Sequence, residues 1–181
     1  MVSDVHSHLT TWPAAERPEL LAPAVAAALT YVLGARVFEI DPALADTAAM
    51  CAAYDVPLDT SANCVLVTGR RGGDERHVAC VALATTRVDV NTFVRKRLDV
   101  RKASFSAMEF AVSASGMEYG GITPIGLPAG WPVWIDAAVA ATAEVIVGSG
   151  IRGSKILLPG ADLALLPGAE VLEGLAVPVL R

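Results

Sequence analysis

The sequence is poor in cysteine, histidine, aromatic and charged residues. Its 181 residues include three cysteines and three histidines, and aromatic side chains make up 6% and charged side chains 18% of the chain. Cys51, Cys64 and Cys80 are odd in number and form no CxxC pair. This pattern excludes a disulfide framework and a cysteine-based zinc site. We therefore expect reduced thiols, buried as small apolar side chains.

Long hydrophobic runs are also missing. The longest apolar stretch, residues 20–33, contains Pro23 and is shorter than the roughly 20 residues that a membrane-spanning helix needs. Residues 1–18 do not combine a basic segment with an apolar one, as a secretory signal would. The sequence therefore predicts a cytoplasmic protein with no membrane partner.

An excess of basic residues is absent as well, since the formal net charge is -5. A general DNA-binding protein is usually strongly basic, so no DNA partner is expected. The cations do form short clusters, at residues 70–71, 95–97, 101–102 and 152–155. Such clusters either contact a phosphate backbone or form a solvated face of the protein, and the sequence leaves both interpretations open.

The chain is rich in apolar residues, which make up 54% of it. Its length suits one ordinary domain, and we predict a flexible tail at residues 1–17 followed by a single domain at residues 18–181. Apolar periodicity and breaker residues predict helices at 18–33, 46–54, 89–98, 106–114 and 162–166. They predict strands at 36–40, 65–68, 77–82, 131–135, 144–147 and 155–158, the second and third forming a hairpin. Irregular alternation of these elements favours an α+β fold with a mixed sheet over a doubly wound parallel one.

Few side chains suggest chemistry. A catalytic triad is not expected, because His6 and His8 lie in the predicted tail and His77 stands alone on a predicted strand. His6, His8 and Asp4 are more typical of a solvated chain end than of a metal site, so we predict no metal. Neither GxGxxG nor a P-loop motif occurs, and no cofactor is expected.

Two glycine-rich loops are more informative. The first, residues 120–128, contains three glycines and two prolines, and the second, residues 148–153, contains three glycines. Glycine lets backbone N–H groups approach a ligand and hold a carbonyl, a phosphate or a developing oxyanion. A tight structural turn explains each loop equally well.

Five segments resemble, in the same order, the YbaK/ProX family of aminoacyl-tRNA deacylases, which includes the editing domain of bacterial prolyl-tRNA synthetases. They are DTAAMCAAYDVP (46–57), VDVNTFVRKRL (88–98), GMEYGGITPIG (116–126), VWID (133–136) and VGSGIRG (147–153). The GGITP segment reproduces the family's GxxxP loop. The resemblance covers roughly residues 37–173 and implies a curved, mostly antiparallel mixed sheet flanked by helices.

The family hydrolyses the ester between a wrong amino acid and the terminal adenosine of tRNA. The resemblance therefore implies a mischarged tRNA 3′ end as the substrate and an aminoacyl-tRNA synthetase as a candidate partner. Water attacks with help from a ribose hydroxyl of the substrate, which agrees with the absence of a triad. The implied catalytic residues are Asn63, Gly120 and Lys155. The implied substrate-binding residues are Phe38, Gly121, Thr123, Pro124, Gly148, Ser149, Gly150 and Arg152.

Three positions depart from the family pattern. Asn63 stands where the family has a lysine, Phe38 replaces an aromatic hydroxyl, and Lys155 stands at the position of an acidic residue. One interpretation is a swap, in which Lys155 supplies the cation with Asn63 as its hydrogen-bond partner. The alternative is that Lys155 points to solvent and catalytic polarity is lost, which leaves a pocket that binds an aminoacyl or nucleotide-like ligand without hydrolysing it.

Overall fold

Strands form most of the regular structure in the computed structural model, which describes residues 5–179. The strands are β1 (Trp12–Pro13), β2 (Arg36–Glu39), β3 (Ala62–Arg71), β4 (Asp74–Leu83), β5 (Thr86–Val88), β6 (Lys102–Phe105), β7 (Val133–Asp136), β8 (Val145–Gly148), β9 (Ser154–Leu158), β10 (Ala169–Leu172) and β11 (Ala176–Pro178). The α-helices are α1 (Pro23–Ala28), α2 (Thr47–Ala53), α3 (Arg95–Arg97), α4 (Met108–Ser115) and α5 (Ala137–Ala140). A π-helical turn, Val90–Val94, leads directly into α3.

A five-stranded sheet in the order β10-β7-β4-β3-β6 is built around the long β3–β4 hairpin. The predicted hairpin is confirmed, but its strands continue to a two-residue turn at Gly72 and Gly73. Gly72 adopts a φ of 63° there, a conformation that glycine accepts without strain. Val81 and its alternate neighbours pack in one apolar cluster, whereas Cys80 and its alternates pack in another. Both faces of the hairpin are therefore covered, which explains its nearly continuous apolar sequence.

A four-stranded sheet in the order β1-β2-β9-β8 contributes the other side of the largest core cluster. A single parallel bridge between Ser61 and Ile146 brings the start of β3 beside β8. Strands β11 and β5 form a separate two-stranded sheet. Among the strand pairs of the described residues, six of eight are antiparallel. The predicted α+β fold with mostly antiparallel pairing is confirmed.

The helix predicted at residues 18–33 is broken into short pieces. Pro23 begins α1, and Ala22 before it is extended, with φ −63° and ψ 147°. A proline has no N–H to donate, and it disfavours helical geometry in the residue before it. Residues 18–33 contain short helical segments, but the prediction of one continuous helix there is wrong.

The predicted flexible tail is also corrected for the part that the structure describes. Trp12 of β1 pairs with Val37 of β2, and Ala14 is buried in the main core cluster. His6 is buried too. Residues 1–4 and 180–181 lie outside the described residues. Within residues 5–179, no helix combines the length and apolarity needed to cross a membrane.

Candidate active site

A cavity of about 640 Å³ opens where the start of β3, the end of β8 and the first glycine loop meet. We call it the main cavity. Its lining includes Asn63, Gly120 and Lys155, the three residues predicted to be catalytic. These positions are remote in sequence and converge because the Ser61–Ile146 bridge sets β3 beside the sheet that contains β9.

Lys155 is a buried cation in the wall of the main cavity. Its residue is 5% exposed, and Nζ donates a hydrogen bond to the backbone oxygen of Ala45 at 3.0 Å. Burial lowers the pKa of this amine, and the Arg152 charge lowers it further, whereas Cys51 and Asp46 act in the opposite direction. The expectation that Lys155 points to solvent is therefore wrong: its amine lies inside the cavity wall.

Asn63 lies on β3 and has a different hydrogen-bond partner from the expected one. Its Oδ1 accepts a hydrogen bond from the hydroxyl of Thr47 at 2.5 Å, whereas Lys155 donates to Ala45. The pairing of Lys155 with Asn63 is thus not formed among the described residues. Both side chains still face the same cavity, so a ligand there can contact both.

The two glycine loops pack backbone against backbone. The N–H of Gly150 donates to the oxygen of Gly121 at 2.7 Å, and the N–H of Glu118 donates to the oxygen of Gly150 at 2.9 Å. A Cβ atom at Gly148 would lie 2.4 Å from the oxygen of Gly121. Close packing therefore explains Gly121, Gly148 and Gly150, while Gly120 and Gly148 also line the main cavity.

Arg152 connects these loops to the rest of the wall through hydrogen bonds. Its backbone N–H donates to Glu118 Oε2 at 2.7 Å, and its guanidinium donates to the oxygens of Tyr119 (3.0 Å) and Pro42 (2.9 Å). A Cβ atom at Gly120 would lie 2.6 Å from Arg152 Nη1. Arg152 lines the main cavity, but much of its hydrogen-bonding capacity holds the wall together.

Six of the residues predicted to bind substrate are not among those that line the main cavity. They are Phe38, Gly121, Thr123, Pro124, Ser149 and Gly150. Phe38 pairs with Lys155 across β2 and β9, and its ring is buried in an apolar cluster with Met50. Pro124 lines a separate cavity of about 350 Å³. The Ser149 hydroxyl is hydrogen-bonded to the Ser154 hydroxyl at 2.7 Å. The substrate-binding role of these six residues stays a prediction.

Ser106 and Thr47 are cavity residues that the sequence did not reveal. Ser106 Oγ lies 2.8 Å from Thr68 Oγ1, which in turn lies 3.0 Å from Nδ1 of His77. The histidine that stood alone on a strand in sequence is therefore linked to the cavity through two hydroxyls. In the hairpin register Thr68 pairs with His77, and this pairing is the signal that could have revealed the hydrogen bonds from His77 through Thr68 to Ser106.

The remaining cavity wall is mainly apolar and small. Asp46 is its one carboxylate among the described residues, and Asp46 Oδ1 accepts from the N–H of Ala49 as the N-cap of α2. The smallest apolar lining residues are Ala43, Ala45, Ala48, Ala62, Ala84 and Ala111. The described residues contain no group of three or more His, Cys, Asp or Glu side chains suited to a metal ion.

Several solved structures share the fold of this chain. A solved structure of a proposed trans-editing enzyme for prolyl-tRNA synthetase matches with a TM-score of 0.70 and 18% identity, over 84% of this chain and 97% of that one. A scaffold protein used for computational grafting of linear epitopes matches with a TM-score of 0.71 and 18% identity, over 84% and 95%. The hypothetical protein APE2540 matches with a TM-score of 0.70 and 17% identity, over 80% and 93%. At these identities the matches show the fold.

The family follows from the sequence itself. Residues 41–166 match the profile of a family described as the aminoacyl-tRNA editing domain. This region contains the main cavity's three central residues, Asn63, Gly120 and Lys155. The protein belongs to the aminoacyl-tRNA editing domain family.

Proposed function

We propose that this protein hydrolyses the ester bond of mischarged aminoacyl-tRNA in trans, in the cytoplasm, where tRNA is charged. The observation that carries the proposal is the buried amine of Lys155, which lines the main cavity together with Gly120 and Asn63. A buried cation in a cavity is expensive to maintain, and it stabilises negative charge there far better than it would in water.

The reaction needs little from the protein beyond positioning and charge. Water adds to the ester carbonyl carbon, the bond from that carbon to the ribose oxygen breaks, and the ribose oxygen takes up a proton. In this proposal Lys155 stabilises the oxyanion that develops on the carbonyl oxygen, and the amide N–H groups of Asn63 donate to the same group or to the ribose. Gly120 brings backbone to the cavity surface without a side chain.

The water is activated by a neighbouring hydroxyl of the terminal ribose, as the family resemblance implies. Asp46 is the carboxylate in the wall, but one of its oxygens caps α2. A substrate that ends in 2′-deoxyadenosine with the ester on the 3′ oxygen separates the two possibilities. It should be hydrolysed at least 100-fold more slowly than the ribose form, whereas Asp46→Asn should keep most of the activity. The opposite pattern would identify Asp46 as the base.

The substrate side chain is expected to be uncharged, because the wall is made mainly of alanine and other apolar residues. An uncompensated charge would be costly to place against such a wall. Editing adds discrimination that a synthetase needs, since binding alone separates amino acids that differ by one methylene by only about 10 to 200-fold.

The direct test incubates the purified full chain with a panel of mischarged tRNAs and follows ester loss, with an active editing enzyme in parallel. We expect hydrolysis of at least one tRNA charged with an uncharged amino acid. Failure on every member of the panel, while the reference enzyme is active, would refute the enzymatic proposal.

A second function remains open because a lysine is missing at position 63, where Asn63 instead accepts a hydrogen bond from Thr47. In this case the cavity binds an aminoacyl-adenosine group and does not hydrolyse it. A non-hydrolysable aminoacyl-adenosine amide that raises the melting temperature, together with no ester loss from the corresponding aminoacyl-tRNA, would favour this function.

A further inference from the structure

A second open space adjoins the main cavity along the edge strand β6. Its volume is about 810 Å³, and Phe105 and Ser106 line both spaces. Strand β6 lies at one end of the five-stranded sheet, beside β3. We call this second space the basic groove. Anything that enters the main cavity from this side passes over Phe105.

The charge of the basic groove is opposite in sign to the net charge of the protein. The chain has a formal net charge of -5, yet the groove is lined by four cations and one carboxylate: Arg70, Arg95, Arg101, Lys102 and Glu75. Glu75 is paired with Arg70 at 2.7 Å. The ion pairs of the described residues include neither Arg101 nor Lys102, and both side chains are exposed.

Aromatic rings lie among these cations. Phe105 is 59% exposed and Phe110 is 36% exposed. The ring of His77 stacks on Phe110 with a centroid separation of 4.5 Å. The hydrogen bond between Thr68 Oγ1 and His77 Nδ1 also fixes the orientation of that imidazole. The groove thus combines cations with exposed, partly preorganised rings.

We propose that the basic groove binds the unpaired 3′ strand of an RNA, with the phosphates on Arg101 and Lys102 and a base stacked on Phe105. The proposal rests on the proposed function, because it assumes that the end of that strand lies in the main cavity. Cationic grooves with exposed aromatic side chains are the usual means of holding single strands without sequence preference. An acidic peptide would use the cations but would gain nothing from the rings.

The test measures binding of a fluorescent, uncharged tRNA to the full chain by anisotropy between 50 and 200 mM salt. Each phosphate contact on a single strand contributes about 0.7 to the slope of log affinity against log salt. Arg101→Ala should therefore flatten the slope by about 0.7. Arg87→Ala is the matched control, because Arg87 is an exposed arginine outside both spaces, and it should leave the slope unchanged.

The stacking part of the proposal is tested at Phe105. Loss of one stacked base weakens binding by about 5 to 150-fold. Phe105→Leu should therefore weaken binding by about tenfold, whereas Phe105→Tyr, which keeps the ring, should restore it. Equal weakening by both variants would overturn the stacking role.

The proposal that the basic groove binds RNA is refuted if Arg101→Ala and Phe105→Leu bind RNA as tightly as the wild type. It is also refuted if Arg87→Ala weakens binding as much as Arg101→Ala. Binding of polyglutamate as tight as that of RNA at the same salt would identify an acidic-peptide site instead. Because the tRNA in this assay carries no amino acid, this result is independent of ester hydrolysis. If the protein hydrolyses no ester but the variants change RNA binding as expected, the groove proposal stands and the proposed function is refuted. If the protein hydrolyses the ester but the variants leave RNA binding unchanged, only the groove proposal is refuted.

Discussion

Replacing Lys155 by methionine should make the protein more stable and less active. Methionine is similar in length and uncharged. Lys155 is 5% exposed, and within residues 5–179 its Nζ has one hydrogen bond, to the oxygen of Ala45. Burying an ammonium costs several kcal/mol, and a hydrogen bond from a charged donor returns about 1.5–3 kcal/mol. The lowered pKa shows that the cost is the larger effect.

We therefore expect Lys155→Met to be more stable than the wild type by about 1–3 kcal/mol at pH 7. For a chain of this length, each kcal/mol raises Tm by about 2–4 °C. Urea unfolding gives the free energy of unfolding directly, through the midpoint and the m-value. Lys96→Met is the control, because Lys96 is exposed, and its effect should stay within about 0.5 kcal/mol.

The pH dependence follows from the direction of the pKa shift. An unfolded lysine titrates near its ordinary value of 10.5, whereas the buried amine of Lys155 loses its proton at lower pH. Between these two values the unfolded chain binds more protons, so the wild type gains stability as the pH rises. The advantage of Lys155→Met should therefore be complete below the folded-state pKa, decrease above it and vanish above pH 10.5. A variant that is less stable than the wild type at pH 7, or an advantage unchanged from pH 7 to 11, would refute this reasoning.

Three further predictions concern the glycine loops, the Asn63–Lys155 pair of positions and a buried thiol. Gly121→Ala should lower the free energy of unfolding by about 1–3 kcal/mol, the typical cost of overpacking, because its Cβ would lie 2.6 Å from the backbone of the second loop. Gly73→Ala meets no atom within 4 Å and should change urea unfolding little. If Lys155 and Asn63 both act in catalysis, the double change Asn63→Lys with Lys155→Asp should alter the deacylation rate, and an unchanged rate would show that neither residue does. Burial raises the pKa of the Cys80 thiol, so it should react with DTNB at pH 8 only after urea is added, and rapid reaction in the native protein would contradict its burial.

The local elements were predictable because their signals are short-range. Asp46 caps α2 through its side chain, and Gly116 ends α4 in the left-handed conformation, with φ 67°. Both residues act within one turn of the chain, and both boundaries were read to within about two residues. The helix predicted at residues 18–33 failed because the apolar period continues across Pro23, whereas backbone hydrogen bonding does not.

The site was only partly predictable because it is assembled from distant segments. The family pattern pointed to Lys155 and Asn63, but their separate hydrogen bonds to Ala45 and Thr47 depend on how α2 packs against the sheets. The same holds for Phe38: its position on β2 was predicted, but its direction into the core was not. Sequence distance hides such contacts until the sheet order is known.

The net charge shows what the structure adds to composition. A formal charge of -5 suggested little affinity for nucleic acid. The cations of residues 101–102 and 95 nevertheless lie together on one edge of the sheet, next to the main cavity. Composition averages over the surface, whereas binding depends on the local arrangement.

We infer that the buried amine of Lys155 accelerates ester hydrolysis in the main cavity. The most direct measurement is the single-turnover rate of ester loss from a mischarged tRNA, compared for the wild type, Lys155→Met and Lys96→Met. We predict that Lys155→Met is slower by about 100-fold or more, the usual effect of removing one oxyanion-stabilising group, and that Lys96→Met equals the wild type. Hydrolysis by Lys155→Met at the wild-type rate would contradict the account.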